Sequence, residues 1–225
     1  MKSDTPIRAV VFDLDGTLYT IRRLRLWLTL KLLRDISMLR RLPSARANLR
    51  SKSFDSKDAL YKALTEEIAR KAKRTPEEVA TWYHERFMRQ FVRILAKRGN
   101  IRPGLVPLLE SLRSKGAKLA VVSDYGSVPE RLEALKIPLD AFNDAFGADE
   151  YGVFKPSPKP LVELARKWEI TTPELLMVGD REDLDADCAR AAGAEFLGIA
   201  DGPTDNESFV TWPEAVNLLE ARLSF

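Results

Sequence analysis

The sequence predicts an α/β protein whose parallel sheet is interrupted by an inserted α-helical domain. Short apolar runs alternate with stretches of helical period on both sides of a segment that has no convincing strand. The charge changes at the same boundaries. Residues 20–101, called the insert below, carry 21 Lys+Arg and 8 Asp+Glu, for a net charge of +13, whereas the remaining residues sum to −10. We therefore expect a Rossmann-like core formed by residues 1–19 and 102–225, with a basic helical domain over 20–101.

The elements of the core follow from its apolar runs and its helix stops. Four strands are predicted, over 7–12, 117–122, 175–178 and 195–199. Helical periodicity covers 105–115, 128–136, 159–168, 183–192 and 213–223, with Gly116 and Gly193 as stops and Thr211 or Trp212 near the last N-terminus. Alternation at this spacing is typical of βαβ units, so the sheet should be mainly parallel and covered on both faces.

The insert is expected to contain three helices. The first covers 21–42 and ends at Pro43, the second covers 56–73, and residues 43–55 between them form a loop rich in Ser and Arg. The third runs to Gly99 and opens with the capping box Thr75-Pro76-Glu77-Glu78.

Composition excludes several classes of protein. With 45% hydrophobic and 31% charged residues, the chain is neither collagen-like nor disordered. A single cysteine, Cys188, cannot form an internal disulfide and should be packed and inert, so we expect a cytoplasmic protein. We expect no secretory signal, and no membrane span because charges interrupt the apolar stretch 24–39. One histidine, His84, excludes a histidine-based triad and a multi-histidine metal site.

The clearest local signal is Asp13-Leu14-Asp15-Gly16-Thr17 directly after the first strand. In an open parallel sheet, ligands bind beyond the carboxyl ends of the strands. Asp13 and Asp15 are two residues apart, which places both side chains on one face of an extended segment, and two such carboxylates need a cation or a proton to coexist. Gly16 lets the chain turn away, and the Thr17 hydroxyl can hold a neighbouring acid. The alternative is an Asp-rich turn that caps the next helix.

Three further polar features follow later strands or precede helices. Ser123-Asp124 follows the second strand, where a hydroxyl and backbone N–H groups can hold an anion. Lys155 precedes a helix start and can offset the charge of an acidic cluster. The third predicted strand is followed by five acids in eight residues: Asp180, Glu182, Asp183, Asp185 and Asp187. Carboxylate ligands suit Mg²⁺. Taken singly, these residues are also compatible with a helix cap, a surface lysine and solvated helix N-terminal acids, and we accept the last reading for Glu182 and Asp187.

Taken together and in order, these motifs resemble those of the haloacid dehalogenase superfamily, in particular its phosphatase branch. The resemblance covers 1–19 and roughly 102–225, and the insert lies where the family's helical C1 caps are found. It implies that Asp13 is the nucleophile that forms an aspartyl-phosphate and that Asp15 is the general acid and base, supported by Thr17. The family's dehalogenases lack a second aspartate at the position of Asp15, so its presence favours phosphoryl chemistry. The residues implied to bind phosphate are Thr17, Ser123, Asp124 and Lys155.

The resemblance also implies a magnesium ion. Its ligands would be Asp13, the carbonyl of Asp15 and Asp180, with Asp185 behind them. Asp183 is an alternative to Asp185, which we favour because it lies eight residues before Gly193, a spacing that recurs in the family.

The expected function is therefore Mg²⁺-dependent hydrolysis of a small phosphorylated metabolite. Two alternatives stay open: a phosphomutase of the same superfamily, and a non-catalytic protein that binds anionic partners or a membrane surface through the basic insert. We expect no nucleic-acid partner, because no basic-aromatic platform is apparent. In the first insert helix arginines and leucines are mixed, which is also a pattern of interfacial helices. We favour a helix whose leucines pack within the insert over one that contacts a membrane.

Overall fold

A computed structural model describes residues 5–222 and contains a six-stranded sheet. The strand order is β3-β2-β1-β4-β5-β6, and each neighbouring pair is parallel. The strands are β1 (Ala9–Phe12), β2 (Lys118–Ser123), β3 (Asp144–Gly147), β4 (Leu175–Gly179), β5 (Glu195–Ala200) and β6 (Phe209–Thr211). The predicted α/β class with a helical insertion is confirmed. Strands β3 and β6 were not predicted, because each is short and neither forms a continuous apolar run.

All four residues of β1 are fully buried, so both faces of the sheet are covered at this strand. Val10 and Phe12 contribute to one hydrophobic cluster, and Ala9 and Val11 to another on the opposite face. Such alternation follows from the two-residue period of a strand. A strand buried on both faces reads as an apolar run without polar alternation, which is why the sequence predicts it well.

Helices fill the chain between β1 and β2, as expected for the insert. They are α1 (Arg22–Lys31), α2 (Ile36–Leu39), α3 (Leu42–Ala47), α4 (Lys57–Ala72), α5 (Pro76–Thr81) and α6 (Arg89–Arg98). A π-helical segment, Trp82–Met88, joins α5 to α6, and a 3-10 turn, Leu33–Asp35, lies between α1 and α2. The predicted capping box is present: Thr75 accepts from the Glu78 N–H and the Glu78 side chain accepts from the Thr75 N–H.

Two predictions for the insert are wrong in detail. The continuous helix expected over 21–42 is divided, because the chain turns at Leu32 and again at Arg40 and Arg41. Part of the loop expected over 43–55 is the helix α3, in which Pro43 occupies the first turn, where a proline does not interrupt helical hydrogen bonds.

The helices outside the insert are α7 (Leu105–Ser114), α8 (Val128–Ala134), α9 (Lys159–Trp168), α10 (Asp187–Ala192) and α11 (Trp212–Arg222). The last helix was predicted to reach Leu223, which lies outside the described residues. Short 3-10 turns cover Leu139–Ala141, Ala148–Tyr151 and Thr172–Glu174, and a π-helical segment, Glu182–Ala186, precedes α10.

None of the helices described between residues 5 and 222 has the length and apolar character needed to cross a membrane. In α1, Leu24 is buried, whereas Leu26 and Leu30 are exposed beside the exposed Arg22 and Arg23. Contact of this outer face with an anionic membrane surface, the alternative that the sequence favours less, is untested.

Candidate active site

The carboxyl ends of β1, β2 and β4 bring the predicted polar residues to one edge of the sheet. Asp13 follows β1, and its N–H continues the strand pairing by donating to the Val178 carbonyl at 2.8 Å. Ser123 is the last residue of β2, and Asp180 follows β4 directly. Because β1 lies between the other two strands, Asp13 is at the centre of this edge.

Lys155 is the cation at the centre of the acidic group, and its side chain is 1% exposed. Its ammonium donates to Asp13 Oδ1 and to Asp185 Oδ1, each at 2.6 Å, and to the Val122 carbonyl at 3.2 Å. Burial opposes the charged form of the lysine, but the two carboxylates outweigh it and raise the pKa of Lys155. The ammonium is therefore held in its charged form beside Asp13.

Two of the predicted phosphate-binding residues have different partners from those expected. The Thr17 hydroxyl donates to Asp13 Oδ2 at 3.2 Å and does not support Asp15, because Thr17 lies one helical turn after Asp13 in the bend at Gly16. The Asp124 carboxylate accepts from the Lys155 N–H at 2.8 Å and lies 3.6 Å from the Arg46 guanidinium. Asp124 thus orients the Lys155 backbone, and its role in phosphate binding stays a prediction.

Asp15 is held by three side chains, of which the sequence analysis identified only Ser123. The Ser123 hydroxyl donates to Asp15 Oδ2 at 2.9 Å. The Arg131 guanidinium forms an ion pair with Asp15 Oδ1, and the Tyr19 hydroxyl donates to the same oxygen. Burial favours the neutral acid, but the charge of Arg131 and the hydrogen bonds from Tyr19, Arg131 and Ser123 together outweigh it and lower the pKa of Asp15. No sequence signal identified Tyr19 or Arg131, since neither residue belongs to a motif.

The two candidate acids of the fourth motif lie in different surroundings. Asp185 is buried against Lys155 and accepts from the Arg181 N–H at 3.0 Å, whereas the Asp183 side chain is 53% exposed and pairs with Arg181 and Arg50. The N–H groups of Asp185 and Ala186 both donate to the Arg181 carbonyl, at 2.8 and 3.2 Å, which is a π-helical turn.

Two glycines permit the close approach of these acids. Gly16 has φ +104°, and a Cβ there would lie 2.2 Å from Asp180 Oδ2. A Cβ on Gly179 would lie 2.4 Å from the Asp185 carboxylate. Both positions therefore exclude any larger residue while the acids keep their places.

The arrangement fits a divalent cation. One carboxylate oxygen from each of Asp13, Asp180 and Asp185 lies within 4.8 Å of the others. Burial and the nearby carboxylates raise the pKa of Asp13, although Lys155 opposes this, and they raise the pKa of Asp180 to about 6. Asp180 Oδ1 is buried without a hydrogen-bond partner among residues 5–222. Excess negative charge with an unpaired carboxylate oxygen is the chemistry that a hard cation satisfies.

A cavity of about 570 Å³ opens over these acids and is closed on the other side by the insert. Asp13, Asp15, Lys155 and Asp180 form its polar end, and leucines and arginines of α1, α2 and α3 face them. The volume is typical of a small-molecule site. Six of the eight predicted residues thus line the cavity: Asp13, Asp15, Asp124, Lys155, Asp180 and Asp185. The other two, Thr17 and Ser123, are buried beside it and donate to the carboxylates of Asp13 and Asp15.

Known proteins resemble this chain in sequence and in fold. Residues 7–193 match the sequence model of haloacid dehalogenase-like hydrolases. The chain is 34% identical over 110 residues to a phosphoglycolate phosphatase of Aliivibrio fischeri, and the matched region covers 48% of this chain and 48% of that protein. It is 33% identical over 101 residues to a glyceraldehyde 3-phosphate phosphatase of Methanopyrus kandleri, 44% of this chain and 43% of that protein. The matched regions span about half the length of these curated relatives.

The fold itself is shared over nearly the whole chain. A crystal structure described as a predicted phosphoglycolate phosphatase from Haemophilus somnus superposes with a TM-score of 0.63 at 23% identity, covering 96% of this chain and 99% of that one. The family match covers β1 to β4 and all four acidic and polar motifs. The chain therefore belongs to the haloacid dehalogenase-like hydrolase family.

Proposed function

We propose that the protein is a Mg²⁺-dependent phosphatase that hydrolyses a small phosphate monoester through an aspartyl-phosphate on Asp13. The observation that carries the proposal is the position of Asp13 at the polar end of the cavity. Its Oδ1 lies 2.6 Å from Lys155 Nζ, and Asp15 follows two residues later in the chain. The names of the two sequence relatives support the reaction class. Their substrates differ, so they do not select one for this chain.

Asp13, the main-chain carbonyl of Asp15 and Asp180 would hold the Mg²⁺ ion, with Asp185 fixed behind them by Lys155. When bound, the ion supplies positive charge that offsets the charge on the phosphoryl oxygens. Lys155 would bind one of the remaining oxygens, and the Ser123 hydroxyl would bind another after turning its proton from Asp15 to the phosphate. The unpaired oxygen of Asp180 supports this assignment.

In the first half of the reaction, an oxygen of the Asp13 carboxylate attacks phosphorus. The bond between Asp13 and phosphorus forms as the bond from phosphorus to the ester oxygen breaks. Asp15, when protonated, gives its proton to the departing alkoxide, so that a neutral alcohol leaves. Thr17 and Lys155 orient the nucleophile, since they bind its two oxygens.

In the second half, water attacks the phosphorus of the aspartyl-phosphate. Asp15, now a carboxylate, accepts the water proton, and inorganic phosphate leaves as the Asp13 carboxylate is restored. Arg131 and Tyr19 both stabilise the ionised form of Asp15, which is the form this step needs. The same two residues make proton donation in the first half harder, so we expect leaving-group basicity to affect the rate strongly.

The insert is proposed to act as a cap that covers the cavity, with its boundaries at residues 19/20 and 101/102. The two connections to the core run side by side: Tyr19 pairs with Ile101, and the Thr20 N–H donates to the Asn100 carbonyl at 3.3 Å. Arg102 ties them to the first motif by donating to the Gly16 carbonyl at 2.6 Å. Adjacent connections of this kind support a cap that covers the site and excludes water during turnover.

The test is phosphate release from a panel of phosphate monoesters, in Mg²⁺ and in EDTA, by the wild type and by Asp13→Asn. We expect release that needs Mg²⁺ and is lost in the variant, while circular dichroism shows the variant folded. Release that persists in Asp13→Asn would contradict the covalent mechanism. Isomerisation of a sugar phosphate without net phosphate release would instead favour a phosphomutase.

A further inference from the structure

The wall of the cavity that faces the acids is mostly apolar. Six aliphatic side chains of the first part of the insert line it: Ile21, Leu24, Leu28, Ile36, Leu39 and Leu42. Phe87 and Phe91 extend this surface from the helical segments before and within α6. Because this wall lies opposite Asp13, it faces the position of the group that departs from phosphorus.

The arginines that line the cavity are either paired with acids or exposed to solvent. Arg46 is buried, donates to the Asp124 carbonyl and lies 3.6 Å from the Asp124 carboxylate, and its remaining Nη1 is buried without a hydrogen-bond partner among the described residues. Arg50 and Arg181 both pair with Asp183. Arg25 and Arg40 are exposed to solvent. Among the residues that the structure describes, the buried cations of the cavity are thus already paired with acids.

Neutral polar groups are also scarce on this wall. Of the described insert residues that line the cavity, Thr29 is the one with an uncharged polar side chain, and its hydroxyl donates to the Arg25 carbonyl at 2.9 Å. A sugar or another polyhydroxylated leaving group would lose its hydrogen bonds to water here without replacing them, which costs binding free energy.

The size of the cavity also favours a large leaving group. At about 570 Å³, it is much larger than a two-carbon acid such as glycolate requires. A larger apolar group would displace the water and bury apolar surface on both sides.

We infer that the leaving group is an uncharged alcohol with an apolar aliphatic or aromatic body, and that the wall of Leu24, Leu28 and Leu39 selects it. The inference rests on the proposed phosphatase function, since it assigns the substrate class of that reaction. It differs from the substrates named for the two relatives, both of which are small and polar.

The experiment measures the affinity of non-hydrolysable n-alkylphosphonates by calorimetry, in Mg²⁺, from two carbons to eight. Each added methylene should lower the Kd about three- to fourfold until the cavity is filled. Propylphosphonate should also bind more tightly than phosphonoacetate, which carries a carboxylate in place of the apolar end. A flat series, or tighter binding of phosphonoacetate, would overturn the inference.

Two matched variants of α1 test whether the alkyl chain binds at the cavity wall. Leu28 lines the cavity, whereas Leu26 on the same helix is 61% exposed and does not. Leu28→Asn should flatten the dependence of Kd on chain length, and Leu26→Asn should preserve it. Equal slopes in the two variants would show that the alkyl chain binds elsewhere, and would overturn the inference.

A kinetic comparison separates this inference from the proposed function. The kcat/KM for hexyl phosphate should exceed that for ethyl phosphate by at least tenfold, since the two alcohols have similar basicity and differ mainly in apolar surface. Turnover of both esters with no preference would overturn the inference and leave the phosphatase intact. Affinity that rises with chain length without turnover of any ester would uphold the apolar site and contradict the phosphatase.

Discussion

Arg131 forms an ion pair with Asp15, which lies 116 residues earlier in the chain, and with its other terminal nitrogen it donates to the Ser123 hydroxyl at 3.1 Å. The arginine is fully buried and its guanidinium lies 4.7 Å from the ring centre of Phe91 in the insert. One side chain of α8 therefore positions the proposed acid and base, positions a proposed phosphate ligand and contacts the insert. No motif in the sequence pointed to this role.

Replacing Arg131 with Met should destabilise the fold by about 3–5 kcal/mol, because it leaves the buried Asp15 carboxylate without its counter-charge. Urea unfolding followed by circular dichroism measures the change. Arg113→Met is the control, since Arg113 is an exposed residue of α7 and loses the same charge. Equal stability of the two variants would show that the ion pair with Asp15 does not support the fold.

Gly16→Ala should abolish phosphate release, because its Cβ would displace the Asp180 carboxylate. The Ala side chain also strains a backbone with positive φ, at a cost of about 1–3 kcal/mol. Gly104→Ala separates the two effects: Gly104 has φ +72° but nothing lies within 4 Å of its Cβ position. We expect Gly104→Ala to lose stability and keep activity. Retained activity in a folded Gly16→Ala would contradict the proposed position of Asp180.

Asp180→Asn should remove measurable Mg²⁺ binding in calorimetry, because it replaces the carboxylate whose oxygen is unpaired. The matched control is Asp183→Asn, which removes one exposed acid three residues away and should bind Mg²⁺ like the wild type. In the wild type, Mg²⁺ at 100 times its Kd should raise the free energy of unfolding by about 2.7 kcal/mol. If Asp183→Asn lost Mg²⁺ binding and Asp180→Asn kept it, the proposed assignment of the metal ligands would be wrong.

Cys188 should resist alkylation in the native protein. Burial raises the pKa of its thiol to about 12, so that at pH 8 only about one thiol in ten thousand is ionised. Labelling with iodoacetamide should be slow until guanidinium exposes the residue, and mass spectrometry follows both rates. Rapid labelling of the folded protein at pH 8 would show that the thiol is accessible and ionised.

The sequence predicted the centre of the fold better than its edges. The buried run of β1 and the acids after it are contiguous in the chain, so one pattern identifies both the strand and the site. Strand β3, in contrast, has three half-buried residues and one buried one, and it is recognisable only from its pairing with β2. The prediction of one continuous helix over 21–42 is wrong, because helical periodicity alone does not show where tertiary packing turns the chain.

Within the site, the position of a residue in the chain decided whether the sequence could identify it. Asp13, Asp15 and Asp180 follow strand ends, and parallel strands bring such ends together. Lys155 does not follow a strand directly and was identified from its place before a helix. Tyr19 lies near the first motif but reaches Asp15 only because the chain turns at Gly16. The partner of the Thr17 hydroxyl also depends on this turn, and the sequence assigned it to the wrong acid.

The aspartyl-phosphate on Asp13 is the central claim, and trapping it is the most direct test. Asp15→Asn should pass the first half of the reaction with an activated aryl phosphate, whose leaving group needs no proton, and stall before hydrolysis. Acid quenching followed by peptide mass spectrometry should then show one phosphoryl group on the peptide that contains Asp13, absent in Asp13→Asn. Release of one equivalent of the aryl alcohol without a phosphoryl group on Asp13 would contradict the covalent mechanism.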